Sequence, residues 1–142
     1  MSDPLKRHEV ERLLPQKGAM CLIDAVLERG GEGIVCIADA ARADNPLRDD
    51  HGVSVVHSVE YGAQAAALHR LSLAADHGTA TAGLLLQVRD VHFFSDYLDR
   101  LPQPLTVSAR CAAASSETSR YRFEIRALDF IVSSGELTLK LT

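Results

Sequence analysis

The sequence has no basic cluster larger than the pair Lys6-Arg7, and its formal net charge is −4. That leaves no electrostatic case for a nucleic-acid partner. Cysteine is scarce: Cys21, Cys36 and Cys111 are odd in number, widely spaced and set among apolar neighbours. A disulfide framework or a zinc site needs closer, even spacing, so the three read as buried free thiols. Nothing of the HExxH kind occurs, and His57, Glu60 and His69 do not substitute for it, so no metal and no cofactor is expected. The charged opening from Met1 to Glu9 has no apolar core behind it, unlike a signal peptide, and the cytoplasm is the expected location. Internal repeats and linker-like stretches are also missing. A chain of 142 residues, 46% hydrophobic and 24% charged, fits one globular domain spanning residues 1–142.

What the chain does contain is one long apolar stretch free of proline. From Val55 to about Ala75 only Gly62 interrupts a run rich in Ala and Leu, which predicts a helix. Its apolar residues, from Val55 and Val56 through Ala65 to Leu71, occupy most of the circumference, and a helix apolar on most sides is a buried one. The interior charge of Glu60, the histidines and Arg70 argue against a membrane span. Glu60 itself needs an explanation, because burying an unpaired carboxylate costs several kcal/mol or forces it to keep its proton.

The remaining segments arrange themselves around this helix. Pro4 to Leu14 is a short helical candidate, with Asp3 to cap it, Pro4 in its first turn and Pro15 to end it. Met20–Glu28 and Gly33–Asp39, separated by Gly30-Gly31, read as a strand hairpin. Ala41 to Gly52 is a polar loop that delivers the chain to the long helix, and Gly78 fits its C-cap. Four strand-like segments follow, around residues 84–94, 105–111, 120–127 and 137–142, with period-two alternation that suits an antiparallel sheet with one wet face. The fold class is therefore α+β, a sheet of about six antiparallel strands wrapped around one long central helix. One sheet covers too few faces of such a helix, so a second subunit is expected against the remainder.

Two motifs carry a resemblance. Leu13-Leu14-Pro15-Gln16-Lys17-Gly18-Ala19-Met20-Cys21-Leu22-Ile23-Asp24-Ala25-Val26 resembles the opening "LLPHR-PMLLIDRV" of the β-hydroxyacyl-carrier-protein dehydratases, and Glu60-x-x-x-Gln64-Ala65 resembles their helical "E-x-M-A-Q-A". Together with Asn45-Pro46-Leu47 and the spacing, they point to the dehydratase-like proteins of aryl-polyene and related lipid clusters. The resemblance implies a hotdog fold, a dimer, and an acyl thioester bound in a tunnel at the subunit interface, carried on acyl carrier protein or coenzyme A. The partner is a second copy or a different hotdog chain. Membrane and nucleic-acid partners are not implied.

Dehydration of a 3-hydroxyacyl thioester needs a base for the C2 proton, an acid for the leaving hydroxyl and donors for the thioester oxygen. In the resembled family a pre-helix histidine is the base and a helical Glu or Asp, contributed by the other subunit, is the acid. Glu60 matches the acid, and an apolar helix would keep it protonated and able to donate. The base position departs from the pattern, because Asn45 stands where the histidine is expected and an Asn cannot abstract a proton. His51 is the best remaining base and His57 a lesser one; His57 shares the face of Glu60 at i−3 and is a candidate hydrogen-bond partner for it. Asn45, Gly52, Val53 and Gln64 are candidate substrate contacts, the amides around Gly52, Val53 and Ser54 suiting an oxyanion and Gln64 orienting Glu60 from one turn away. His8, His69, His77 and His92 are expected at the surface or in packing. Arg89-Asp90 is expected as an ion pair, the alternative being a contact to the carrier's phosphopantetheine. Asn45, His51-Gly52 and Glu60 also fit a hotdog thioesterase loosely, and the missing histidine favours a third reading, a non-catalytic subunit paired with an active hotdog chain.

Overall fold

A computed structural model describes residues 4–76 and 83–141. The chain runs through α1 (Arg7–Leu13), a 3-10 turn (Gly18–Met20), β1 (Ala25–Arg29), β2 (Gly33–Ala38), a second 3-10 turn (Val55–His57) continuing into α2 (Ser58–Asp76), then β3 (Gly83–Phe93), β4 (Leu105–Ala114), β5 (Thr118–Ala127) and β6 (Phe130–Leu141). The strands form one six-stranded antiparallel sheet in the order β1-β2-β4-β5-β6-β3. A sheet of this order curved around one long helix is the hotdog arrangement, as the sequence implies. His77 and the Gly78 cap lie outside the described residues.

Alternation along β5 shows how the sheet meets the helix. Tyr121, Phe123, Ile125 and Ala127 are buried, while Arg120 and Arg122 face solvent. Phe123 occupies a slot between two glycines. A Cβ on Gly62 of α2 would lie 2.5 Å from Phe123 Cγ, and one on Gly135 of β6 would lie 2.7 Å from Phe123 Cε2. Gly62 is thus the place where the helix lies closest on the sheet, which accounts for a poor helix former in mid-helix.

Several boundaries differ from the sequence reading. Leu5 pairs with Val26 through both of its backbone groups, at 3.0 and 2.9 Å, so the chain is extended there and α1 starts at Arg7, after Lys6 rather than Asp3. Strand β1 begins only at Ala25, because Gly18–Met20 is a turn. Strand β6 begins at Phe130, seven residues earlier than the alternation suggests, after a two-residue turn in which Leu128 takes φ 52°. Cys21 and Cys36 are buried free thiols as expected, whereas Cys111 is half-buried. Burial holds the Cys36 thiol up at about 12. Asp90 adopts φ 51° beside an irregularity in β3, and among the described residues no ion pair joins it to Arg89. Arg89 instead lies opposite Glu136.

His8 and His92 are exposed. His69 is fully buried, its Nε2–H donating to the Gly30 carbonyl at 2.6 Å and its Nδ1 accepting from the Tyr121 hydroxyl. Burial holds His69 below its ordinary 6.5, assisted by Arg70 and Arg29. A group with a depressed folded-state value contributes stability above its unfolded value and loses it as pH falls. Denaturant unfolding should therefore show stability declining between about pH 7 and pH 5. In His69→Gln, which keeps a donor and an acceptor without titrating, that decline should shrink.

Candidate active site

The predicted acid sits on the side of α2 that the chain leaves open. Glu60 is exposed; Val56, one turn before it, is 59% exposed, and Val59, Ala63 and Ala67 are only partly covered. The sheet covers the opposite side, where Gly62, Ala65, Ala66 and Leu68 are buried. Strand β3 also ends the sheet, with β6 as its one strand neighbour among the described residues. Its Leu86, Val88 and Phe93 are 50%, 37% and 40% exposed. An edge strand carrying apolar side chains and an uncovered helix face each leave apolar surface of the kind that another chain can cover. Glu60 is not enclosed within the single chain, because the sheet covers the other side of α2.

The residues expected to serve Glu60 are otherwise employed. Gln64 is buried, but its Oε1 accepts from the Leu22 N–H at 2.8 Å and its Nε2 donates to the Met20 carbonyl at 2.9 Å. It pins the opening motif to the helix and does not orient Glu60. Asn45 is buried: its Nδ2 donates to the Ala40 carbonyl at 2.9 Å and to the Tyr61 hydroxyl at 3.0 Å, while Oδ1 accepts from the Leu47 N–H at 3.0 Å. Its amide is committed to shaping the loop. Burial, against the Asn45 bond, raises the Tyr61 hydroxyl above its ordinary value. His57 is half-buried, and among the described residues no hydrogen bond or ion pair joins it to Glu60. The ring of His51 is on an exposed turn whose backbone is fixed, its N–H donating to Asp49 Oδ1 at 2.8 Å and its carbonyl accepting from Arg100.

Most amides at the helix start are already bonded. The Gly52 N–H donates to the Asp49 carbonyl at 3.2 Å, Val53 N–H to Asp99 Oδ1 at 2.9 Å, Val55 N–H to the Asp96 carbonyl at 2.9 Å and Val56 N–H to Ser54 Oγ at 3.3 Å. The Gly52 amide and the Val53 amide are therefore spent on the loop, not held open. Gly52 has φ +126°, and a Cβ there would come within 2.9 Å of Asp99 Oδ1. The glycine makes room for that carboxylate.

Asp99 is the residue that sequence reasoning missed. Besides Val53 it accepts from Arg48 at 3.0 Å. Burial pushes its carboxyl up, but the Val53 amide and the Arg48 guanidinium outweigh this and hold it below its ordinary 3.8. Forty-six residues separate Asp99 from Val53, so no local pattern reports the pairing. Among the described residues no group of His, Cys, Asp and Glu is arranged to hold a metal. No described helix is long and apolar enough to cross a membrane.

Comparisons with known proteins agree with this fold. The model of the ApeP-like family, described as ApeP dehydratase, matches residues 8–140. No curated protein matches the chain in sequence. Among solved structures, the dehydratase heterocomplex ApeI:P from Xenorhabdus doucetiae contains a chain that superposes with a TM-score of 0.85 at 19% identity, covering 94% of this chain and 90% of that one. A thioesterase from Staphylococcus aureus superposes at 0.64 with 13% identity, covering 82% and 91%. A hypothetical thioesterase with coenzyme A from Streptococcus pneumoniae gives 0.62 with 17% identity, covering 82% and 84%. At these identities the superpositions establish the hotdog fold.

The loop geometry gives a direct test. Asp99→Ala removes a charged acceptor from the Val53 N–H and from Arg48, and should cost about 1–3 kcal/mol in denaturant unfolding. The exposed Glu117→Ala should stay within about 0.5 kcal/mol of the parent.

Proposed function

The chain belongs to the ApeP-like dehydratase family, and from that premise we propose that it works as one half of a two-chain 3-hydroxyacyl thioester dehydratase, with Glu60 as the acid. The observation that carries this reading is the placement of Glu60 on the exposed face of α2, in a chain whose β3 edge is also unpaired. A partner hotdog chain laid along that edge encloses Glu60 and brings a base to it. The base takes the C2 proton, the C3–O bond breaks, and Glu60 passes its proton to the departing hydroxyl, which leaves as water.

Asn45 contributes no proton chemistry, since its amide is fully used inside the loop. The base therefore comes from elsewhere. In a pair of identical chains it is His51 of the second copy; in a pair with a different hotdog chain it belongs to that chain, and His51 is dispensable. The second arrangement is favoured by the exposed, internally bonded turn that carries His51. The thioesterase reading is weakened by the same loop, because the Asn that it would place on the substrate faces Ala40 and Tyr61 instead. The thioester arrives on a carrier protein or coenzyme A.

Turnover of an enoyl thioester by the assembled protein should show hydration without free thiol release. Glu60→Gln should lower hydration by at least about 100-fold, the lower end for loss of a general acid. If His51→Ala leaves the rate within a few-fold, the base is the partner's. Thiol release in place of hydration would overturn the dehydratase reading.

A further inference from the structure

Two fully buried side chains end in a hydroxyl that has no hydrogen-bond partner among the described residues: Ser58, the first residue of α2, and Ser133 on β6, both 0% exposed. A buried hydroxyl without a partner bears the whole cost of its lost hydration, and native structures avoid it. The usual local relief occurs elsewhere on the same helix, where the buried Ser72 donates to the His69 carbonyl at 2.9 Å. Ser58 makes no such bond. On the sheet, Ser133 stands between Ile125 of β5 and Phe93 of β3, and neither side chain offers an acceptor.

Register brings the two hydroxyls together. Ser58 and Gly62 are four residues apart and Gly62 and His69 seven, so all three share the row of α2 that faces the sheet. Two points on that row are fixed. Gly62 lies against Phe123, whose ring also meets Gly135 of β6, and His69 accepts from the hydroxyl of Tyr121, which is paired with Leu137. Going back along the helix from His69 to Gly62 therefore goes back along β6 from Leu137 to Gly135. One further helical turn, a rise of about 6 Å, brings Ser58 to the level of Ser133, two residues and about 7 Å further back along the strand.

We infer that Ser58 and Ser133 together bind one internal water molecule, which ties the first turn of α2 to the sheet. The ring of Phe123 holds the helix off β6 at Gly62. One turn earlier two small hydroxymethyl groups face each other over the same gap, a space of the size that a single water fills. A water in that space bonds both hydroxyls, and the two serines supply the pair of polar partners that a buried water needs. The site lies on the sheet side of α2, away from the exposed face that carries Glu60, so it does not depend on what covers that face.

Two measurements on the full chain test this. A crystal structure that resolves ordered solvent should show one oxygen within hydrogen-bond distance of both Oγ atoms; a direct Ser58–Ser133 bond, or no oxygen between them, overturns the site. In denaturant unfolding, Ser58→Ala and Ser133→Ala should each shift the equilibrium about 5-fold or more toward the unfolded chain, because each leaves the water one partner short. The double variant should shift it by less than the product of the two. If instead the hydroxyls have no partner at all, alanine removes a penalty and each variant is as stable as the parent or more so. That sign, or two losses that simply multiply, overturns the proposal. The crystallographic result decides the question whether or not the variants fold.

Discussion

A helix that is apolar around most of its circumference has to be enclosed on most sides, and one curved sheet encloses only part of it. This constraint organises the molecule. The sheet takes the side of α2 that carries Gly62, Ala65 and Leu68, and closes on it through Phe123 in its two-glycine slot. The side that carries Val56 and Glu60 is left to something outside the chain, and so is the apolar edge of β3. Exposed apolar surface on the helix and on an edge strand disfavours the single chain in water. An ionised carboxylate enclosed without a partner disfavours the pair unless it is neutral or matched. Assembly and chemistry at Glu60 are therefore linked in the proposed two-chain site: whatever covers the helix also decides the state of its acid.

The polar residues inside the chain do a different job. Asp24, Gln64, Asn45 and Asp99 each satisfy backbone or guanidinium groups that would otherwise be stranded where loops cross the helix. Asp24 accepts from Asp39 N–H as well as from Arg7 and Arg42. Gln64 replaces backbone pairing that the Gly18–Leu22 segment cannot make, since that segment lies outside the sheet. A buried group left without such a partner costs about 1–3 kcal/mol, which explains why these side chains are polar in apolar surroundings. Both motifs by which the family can be read thus contain residues that hold the site's surroundings in place, and only Glu60 is left free to act.

The same distinction explains what was legible in the sequence. Strand alternation and the proline-free helix gave the right order of elements, because burial of one face imposes a period that local sequence reports. Boundaries failed where a long-range bond decided them, as when Leu5 pairs with Val26 and delays α1, or where a turn lacked its usual residues, as at Leu128-Asp129 before β6. At the site, spacing identified Glu60 and Gln64 as neighbours on one helix row, but it said nothing about which side of the helix the sheet would cover. It also made the first amides of the helix look free. Those of Gly52, Val53 and Val55 are consumed by Asp49, Asp99 and Asp96, two of which come from a loop far along the chain.

Asn45 shows how a change in chemistry and a change in structure become one. A base at that position needs a ring exposed to the substrate and one nitrogen able to take a proton. The residue present is buried and spends two donors on Ala40 and Tyr61 and its oxygen on Leu47. An imidazole has two ring nitrogens and no geometry that reproduces an amide with two N–H groups and a carbonyl. Restoring a histidine alone would therefore break the loop before it restored a base, because Tyr61 lies on α2 and ties this loop directly to the helix that carries Glu60. The loop has been built around an amide, and in the proposed two-chain site Asn45 is not the group that accepts the proton.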